Sequence, residues 1–277
     1  MTATSPPARA TARPAPAGRP RPLAWDVTRS EWIKLRTVRS TYWALLLTPA
    51  GMAGFGALLT AAYVRHHEAA RRGFDPAGYS LSGFFLAQMA IIVLGVVAIT
   101  SEYTTGSIRS TFAAAPQRTV VLAAKAAVLA AVAVMAGIAS AFAAFFIGQA
   151  VLAGKGLGTT IGAPGALRSV LGAGLYLGVL GLLALGLGSL IRRTAGGIAA
   201  AVGLIVILPV LVQGLPPSWQ AALTRYLPSV AGQAVIGRTK FTAPGPPPSP
   251  WAGFALFCAY TAVVLIAAAL ALHRRDA

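Results

Sequence analysis

The residues able to do chemistry are few, and their spacing argues against most of it. The acids are Asp26, Glu31, Glu68, Asp75, Glu102 and Asp276, and the histidines are His66, His67 and His273. All lie outside the long apolar stretches or at their edges. A metalloenzyme, intramembrane protease or proton pump keeps ionisable groups at depth, although each costs roughly 2.5–3.5 kcal/mol there. The sole charge near an apolar core is Lys125, which at an inner end can snorkel to the headgroups. His66 and His67 beside Glu68 lack distant partners, so a solvated loop outweighs a metal site. Gly154-Lys155-Gly156 is no phosphate loop: Gln149 stands where its first glycine belongs, and Gly156 replaces the required Ser or Thr. Gly186-Leu187-Gly188-Ser189 has no base at hand to activate its serine. Catalytic and metal-binding residues are therefore expected to be absent.

The elements that must position these residues are six apolar segments: 42–64, 81–100, 126–148, 169–191, 195–213 and 251–272. Each holds about the ~20 residues a helix needs to cross hydrocarbon, and none contains an acid. Apolar residues make up 56% and charged residues 10%, against about 25% charged in a soluble domain. The expected fold is an all-α integral membrane protein with six transmembrane helices. An N-terminal interfacial helix, a cytoplasmic coupling helix and an external re-entrant hairpin complete it. The 277 residues leave no room for a separate soluble enzyme domain of average size. The net charge of +17 does not imply nucleic acid, because most Lys and Arg flank the spans, where they set orientation and meet anionic lipid. The single cysteine, Cys258, excludes a disulfide framework and reads as a small buried hydrophobe. Abundant Ala, Gly, Pro and Arg suggest a bacterial source.

Along the chain, residues 1–24 carry prolines and arginines with almost nothing large and apolar, the composition of a disordered cytoplasmic tail. Residues 25–40 form the interfacial helix, opened by a Thr28–Glu31 capping box. Trp25, Thr28, Trp32 and Leu35 gather on one side with Arg36 beside them, a pattern for lying in the headgroup plane. Residues 41–277 form the six-helix transmembrane domain, with an inner loop at 101–118 and an external hairpin at 214–250. Fifteen of the 23 Lys and Arg fall inside if the N-terminus is cytoplasmic, and Arg29, Lys34, Arg36 and Arg39 abut the first span, so both termini are expected inside. Arg192-Arg193-Thr194 forces an antiparallel hairpin between the fourth and fifth spans. Gly174 and Gly178 have the spacing that lets helices approach closely, which also lends mild support to a dimer. Pro49 and Pro209 should kink their spans. Residues 219–236 suggest short helices dipping into the outer leaflet, and 243–250 an extended proline spacer.

The inner loop is the most informative stretch. Thr104 or Thr105 can cap a short helix that Pro116 ends. Ile108, Phe112 and Ala115 share a face beside Arg109. Flanked by two spans, this helix is expected to have nothing of its own chain to pack on. It would lie on the membrane or enter a groove on a soluble partner.

Glu102-Tyr103-x-x-Gly106-x-Ile108-Arg109-x-Thr111, followed by Pro116-x-Arg118, resembles the coupling region of bacterial type-2 ABC exporter permeases. The resemblance extends to Ser30-Glu31-Trp32-x-Lys34-Leu35-Arg36-Thr37-x-Arg39-Ser40 and to Tyr226-Leu227-Pro228-Ser229-x-Ala231-Gly232, in the same order. It implies two permease halves, as a homodimer or heterodimer, in the bacterial plasma membrane. They would bind separate soluble ABC ATPase subunits that carry the ATP and Mg, leaving no cofactor on this chain. By the same resemblance, Glu102 closes the second span and holds the loop, Gly106 belongs to the turn, and Ile108 and Phe112 anchor a helix in the ATPase cleft, with Arg109 as a charge contact. The helix bearing Trp25, Trp32, Leu35 and Arg36 would lie alongside. ATP binding would then rock the spans from inward- to outward-open. Phe84, Phe85, Gln88 and Gln213 would line a path suited to hydrophobic or amphipathic cargo. The alternative is a non-transporting membrane anchor or sensor subunit that docks a soluble partner.

Overall fold

Continuous apolar sequence folds as helix here because only intrahelical bonding satisfies every backbone N–H and C=O without water. The computed structural model describes residues 24–66, 75–114, 117–154, 156–237 and 249–274. Six helices are long and apolar enough to cross a membrane: Arg39–Val64, Phe84–Thr104, Arg118–Ala153, Ala166–Ile191, Thr194–Gln213 and Pro250–Arg274. No strand occurs among the described residues. The expected tail up to residue 23, His67, Glu68, Arg71, Arg72, Lys155 and the proline spacer at 243–248 lie outside them, as does the side chain of His66.

The fourth span is the centre of the bundle. Its most apolar window is 72% buried, against 22% for the fifth and sixth spans, and the second, third and sixth spans pack around it. Glycine makes that packing close. A Cβ on Gly174 would lie 2.3 Å from Ile138 Cγ1 and 2.7 Å from the Ile138 backbone nitrogen, and one on Gly178 would lie 2.3 Å from Val134 Cγ2. The glycine spacing therefore serves the contact between the third and fourth spans of one chain. Its support for a dimer is withdrawn.

Each proline sits beside a π-helical turn. Pro49 precedes the π segment Ala50–Phe55, and Pro209 follows the π segment Gly203–Ile207. At Pro209 the missing N–H and the ring's clash with the preceding turn favour such widening. The turn between the fourth and fifth spans is as tight as the sequence requires: Arg192 sits in the left-handed region at φ 60°, Arg193 is extended, and Thr194 begins the next helix.

After the fifth span the chain folds into short helices, Pro217–Leu223 and Pro228–Gln233, with 3-10 turns at Thr224–Tyr226 and Ala234–Ile236. Ala231, Ala234, Val235 and Ile236 are buried, and this region packs on the fourth and sixth spans. Gly232 rests on the rings of Tyr176 and Phe257, leaving no room for a Cβ. At the same end Gln149 Nε2 donates to Ser80 Oγ at 3.0 Å and to Pro76 O at 3.2 Å, while the Thr159 amide donates to Gln149 Oε1 at 2.6 Å. These bonds tie the loops after the first and third spans together.

Candidate functional site

The N-terminal helix, Ala24–Thr37, turns Val27, Glu31 and Leu35 inward at successive i, i+4 positions. Two sequence expectations change as a result. The helix begins four residues before Thr28, whose hydroxyl donates back to Ala24 O at 2.8 Å, so Thr28 and Glu31 form no capping box. Of the four residues expected on one side, Leu35 is buried, whereas Trp25 and Trp32 are exposed. Arg36 lies 6.0 Å over the Trp32 ring on that outer side.

Glu31 is only 1% exposed because it enters a four-charge cluster. Lys34 Nζ donates to Glu31 Oε1 at 2.6 Å, to Glu102 Oε1 at 3.0 Å and to Thr111 Oγ1 at 3.3 Å. Lys125 Nζ donates to Glu31 Oε2 and, at 2.8 Å, to Glu102 Oε1. Lys125 is 3% exposed and does not snorkel to headgroups. Two carboxylates from other elements converge on it, and a paired charge avoids most of the penalty an isolated one would suffer. The third span reaches this far because it is 36 residues long, about 54 Å at 1.5 Å per residue, well beyond a hydrocarbon core. Burial pulls the Lys34 ammonium down, but the carboxylates of Glu31 and Glu102 outweigh it and hold its pKa above the ordinary lysine value. Glu102 uses Oε1 for both lysines, while its buried Oε2 makes no hydrogen bond among the described residues.

Next along the chain, Gly106 adopts φ +70°, a conformation glycine enters without a Cβ penalty. This turn starts the loop helix Ser107–Ala114. Contrary to expectation, that helix packs on its own chain. Ile108 is 4% exposed and belongs to the main core. Phe112 packs on the cluster of Val27, Val121 and Ala124, with the Arg118 guanidinium 5.3 Å from its ring centre. The amphipathic face thus finds the N-terminal helix and the third span. Arg109, Ser110 and Ala113 are left exposed. Ala115 and Pro116 lie outside the described residues.

Other spans end on the same joint. Arg118 Nη1 donates to Leu272 O at 2.7 Å, capping the end of the sixth span. Thr194 Oγ1 donates to Thr100 Oγ1 at 2.9 Å, and Arg192 lies 5.2 Å over the Tyr103 ring. The C-terminal end of the second span is therefore linked to the N-terminal helix, the third span and the hairpin between spans four and five.

The four candidate path residues do not share a wall within the protomer. Phe84 and Gln88 are buried, with Tyr176 Oη donating to Gln88 Oε1 at 2.9 Å and the Phe84 and Tyr176 rings 5.2 Å apart. Phe85 and Gln213 are exposed. The residues sequence reading undervalued are Glu31, Lys34 and Lys125. Their signal was present: a lone charge inside an apolar segment needs a partner.

A protein-family profile described as "ABC-2 family transporter protein" matches residues 28–211. That stretch holds most of the N-terminal helix, the charge cluster, the loop helix and most of the bundle. A comparison with curated proteins gives no match. With well over half its length matched, and with six helices able to cross a membrane, the chain belongs to the ABC-2 transporter family as a multi-pass permease component of an ABC transporter.

Proposed function

We propose that this permease pairs with a second permease half, as homodimer or heterodimer, and takes its energy from a separate soluble ATPase that docks on the loop after the second span. The observation that carries the reading is the charge cluster. It fixes the loop helix and the end of the second span to the N-terminal helix and the third span, so force on the loop moves several spans as one body. A helix floating on the membrane would dissipate that force. Ile108 and Phe112 seat the helix from within, and Arg109, Ser110 and Ala113 form the face offered to the partner. ATP and Mg belong to the ATPase. The direction is export, the membrane is the bacterial plasma membrane, both termini are cytoplasmic, and the N-terminal helix lies at the inner headgroup level with Trp25 and Trp32 toward lipid. Cargo is hydrophobic or amphipathic. It passes along a path to which Phe85 and Gln213 contribute from their exposed faces, with Phe84 and Gln88 backing them.

Arg109→Glu is expected to weaken copurification with the ATPase about tenfold, through loss of rim electrostatics, while leaving the melting temperature of the permease unchanged. Intact association together with intact coupled hydrolysis would remove the loop from the docking surface. For orientation, Cys258 is first replaced by serine. A cysteine at Ser110 should then react only from the cytoplasmic side and one at Ser218 only from outside; both positions are exposed. The opposite labelling pattern would invert the topology.

A further inference from the structure

The charge cluster closes one end of a cavity of about 380 Å³ between the N-terminal helix, the first and second spans and the loop helix. The size falls within the range of small-ligand sites. Its wall is layered. Leu94, Val97 and Ala98 of the second span line one end, and hydroxyls of Thr37, Thr105 and Ser107 surround the other. Leu94 to Thr105 spans about 16 Å of helix, so the change from apolar to polar is gradual along the cavity's length. Accessibility decides the charge a ligand meets. The Lys34 side chain is 40% exposed, against 2% for Glu31, 4% for Lys125 and 9% for Glu102. A molecule entering the cavity therefore meets a cation, although the cluster as a whole carries two charges of each sign. Two of the three Lys34 bonds go to carboxylates, at 2.6 and 3.0 Å; the third goes to the uncharged Thr111 hydroxyl and is longer, at 3.3 Å. That third bond is the one an incoming oxygen can replace without breaking the cluster.

We infer that this cavity binds an anionic amphiphile, its carboxylate or phosphate head at Lys34 and its hydrocarbon chain along Leu94, Val97 and Ala98. Its occupant would wedge the joint between the N-terminal helix and the second span; only this regulatory consequence rests on the proposed role of the loop. Either a free fatty acid or an inner-leaflet phospholipid carries the required chemistry.

Native mass spectrometry of the purified full-length chain in neutral detergent tests binding with oleate and, separately, phosphatidylglycerol. Uptake of oleate alone identifies a free acid as the ligand; uptake of phosphatidylglycerol, with or without oleate, identifies a bilayer lipid. Ala98→Phe, which fills the apolar end, and Thr37→Asp, which places a carboxylate at the head end, should each weaken uptake about tenfold or more. Thr37 is exposed, so its variant keeps the test valid if Ala98→Phe fails to fold. Uptake of neither probe by the unaltered chain, wild-type uptake by Thr37→Asp, or equal uptake of dodecyltrimethylammonium would overturn the inference. No ATPase is present in this assay, so failure of ATPase docking leaves its result intact.

Discussion

Lys125→Met is expected to destabilise the permease by on the order of 3–5 kcal/mol, the cost of deleting one partner from a buried ion pair. The substitution keeps the length and the apolar stem, so packing changes little. What changes is charge: Glu31 and Glu102 must then share the single ammonium of Lys34, and Glu31 Oε2 loses its donor in a site only 1% exposed. Adding Glu31→Gln should recover a large part of the loss, because it removes the surplus carboxylate and leaves the Lys34–Glu102 pair. Lys125→Arg should fall between the unaltered chain and the methionine variant, since the charge survives but the guanidinium needs more room. Thermal unfolding in detergent measures all three. A methionine variant that melts with the unaltered protein would mean the cluster contributes no net stability, and a double variant less stable than the methionine variant would mean that Glu31 is not the surplus charge.

Gly174→Ala is expected to cost about 1–3 kcal/mol or more by forcing the third and fourth spans apart. Gly178→Ala should cost less. The difference lies in what each new methyl meets: beside Gly174 it meets the Ile138 backbone nitrogen at 2.7 Å, beside Gly178 the terminal methyl of Val134 at 2.3 Å. A side-chain methyl can rotate away and a backbone atom in a packed helix cannot. Because both glycines face the chain's own third span, association with a second permease half should survive wherever the protein still folds. Melting curves give the order of the two variants, and crosslinking of membrane-embedded protein gives the association. A reversed order would show that the helices yield more readily than the side chain.

The spans were legible because lipid demands a long apolar helix whatever its neighbours, so length and composition suffice. Their ends near the charge cluster were less so. The third span starts at Arg118, earlier than hydropathy places it, since Arg118, Thr119 and Lys125 interrupt its first turns, and Arg118 and Lys125 gain their partners from elsewhere. Lys125 and Glu31 are 94 positions apart, and no local periodicity shows that they meet. Thr28 and Glu31 matched a helix start in spacing alone; the chain is already helical at Ala24, and Glu31 faces Lys125 instead. The loop helix was correctly placed between the second and third spans. Its amphipathic pattern said that one face is buried, but not that the N-terminal helix and third span cover it. Gly106 stands where the left-handed turn needs glycine, and the family motif pointed to the position without giving that reason.

The π segments at Ala50–Phe55 and Gly203–Ile207 bear on how homologous chains should be aligned. A π turn accommodates one residue more than an α turn, so everything beyond it faces a direction about 100° away from where an unbroken helix would aim it. In the first span that offset is what lets Thr60 donate to Tyr79 O at 3.2 Å. Gly54 lies inside this π segment, with open space around its Cβ position. Homologues without the proline should therefore carry a one-residue gap there, and an alignment that closes the gap would assign the wrong side chains to every position from Gly56 to His66.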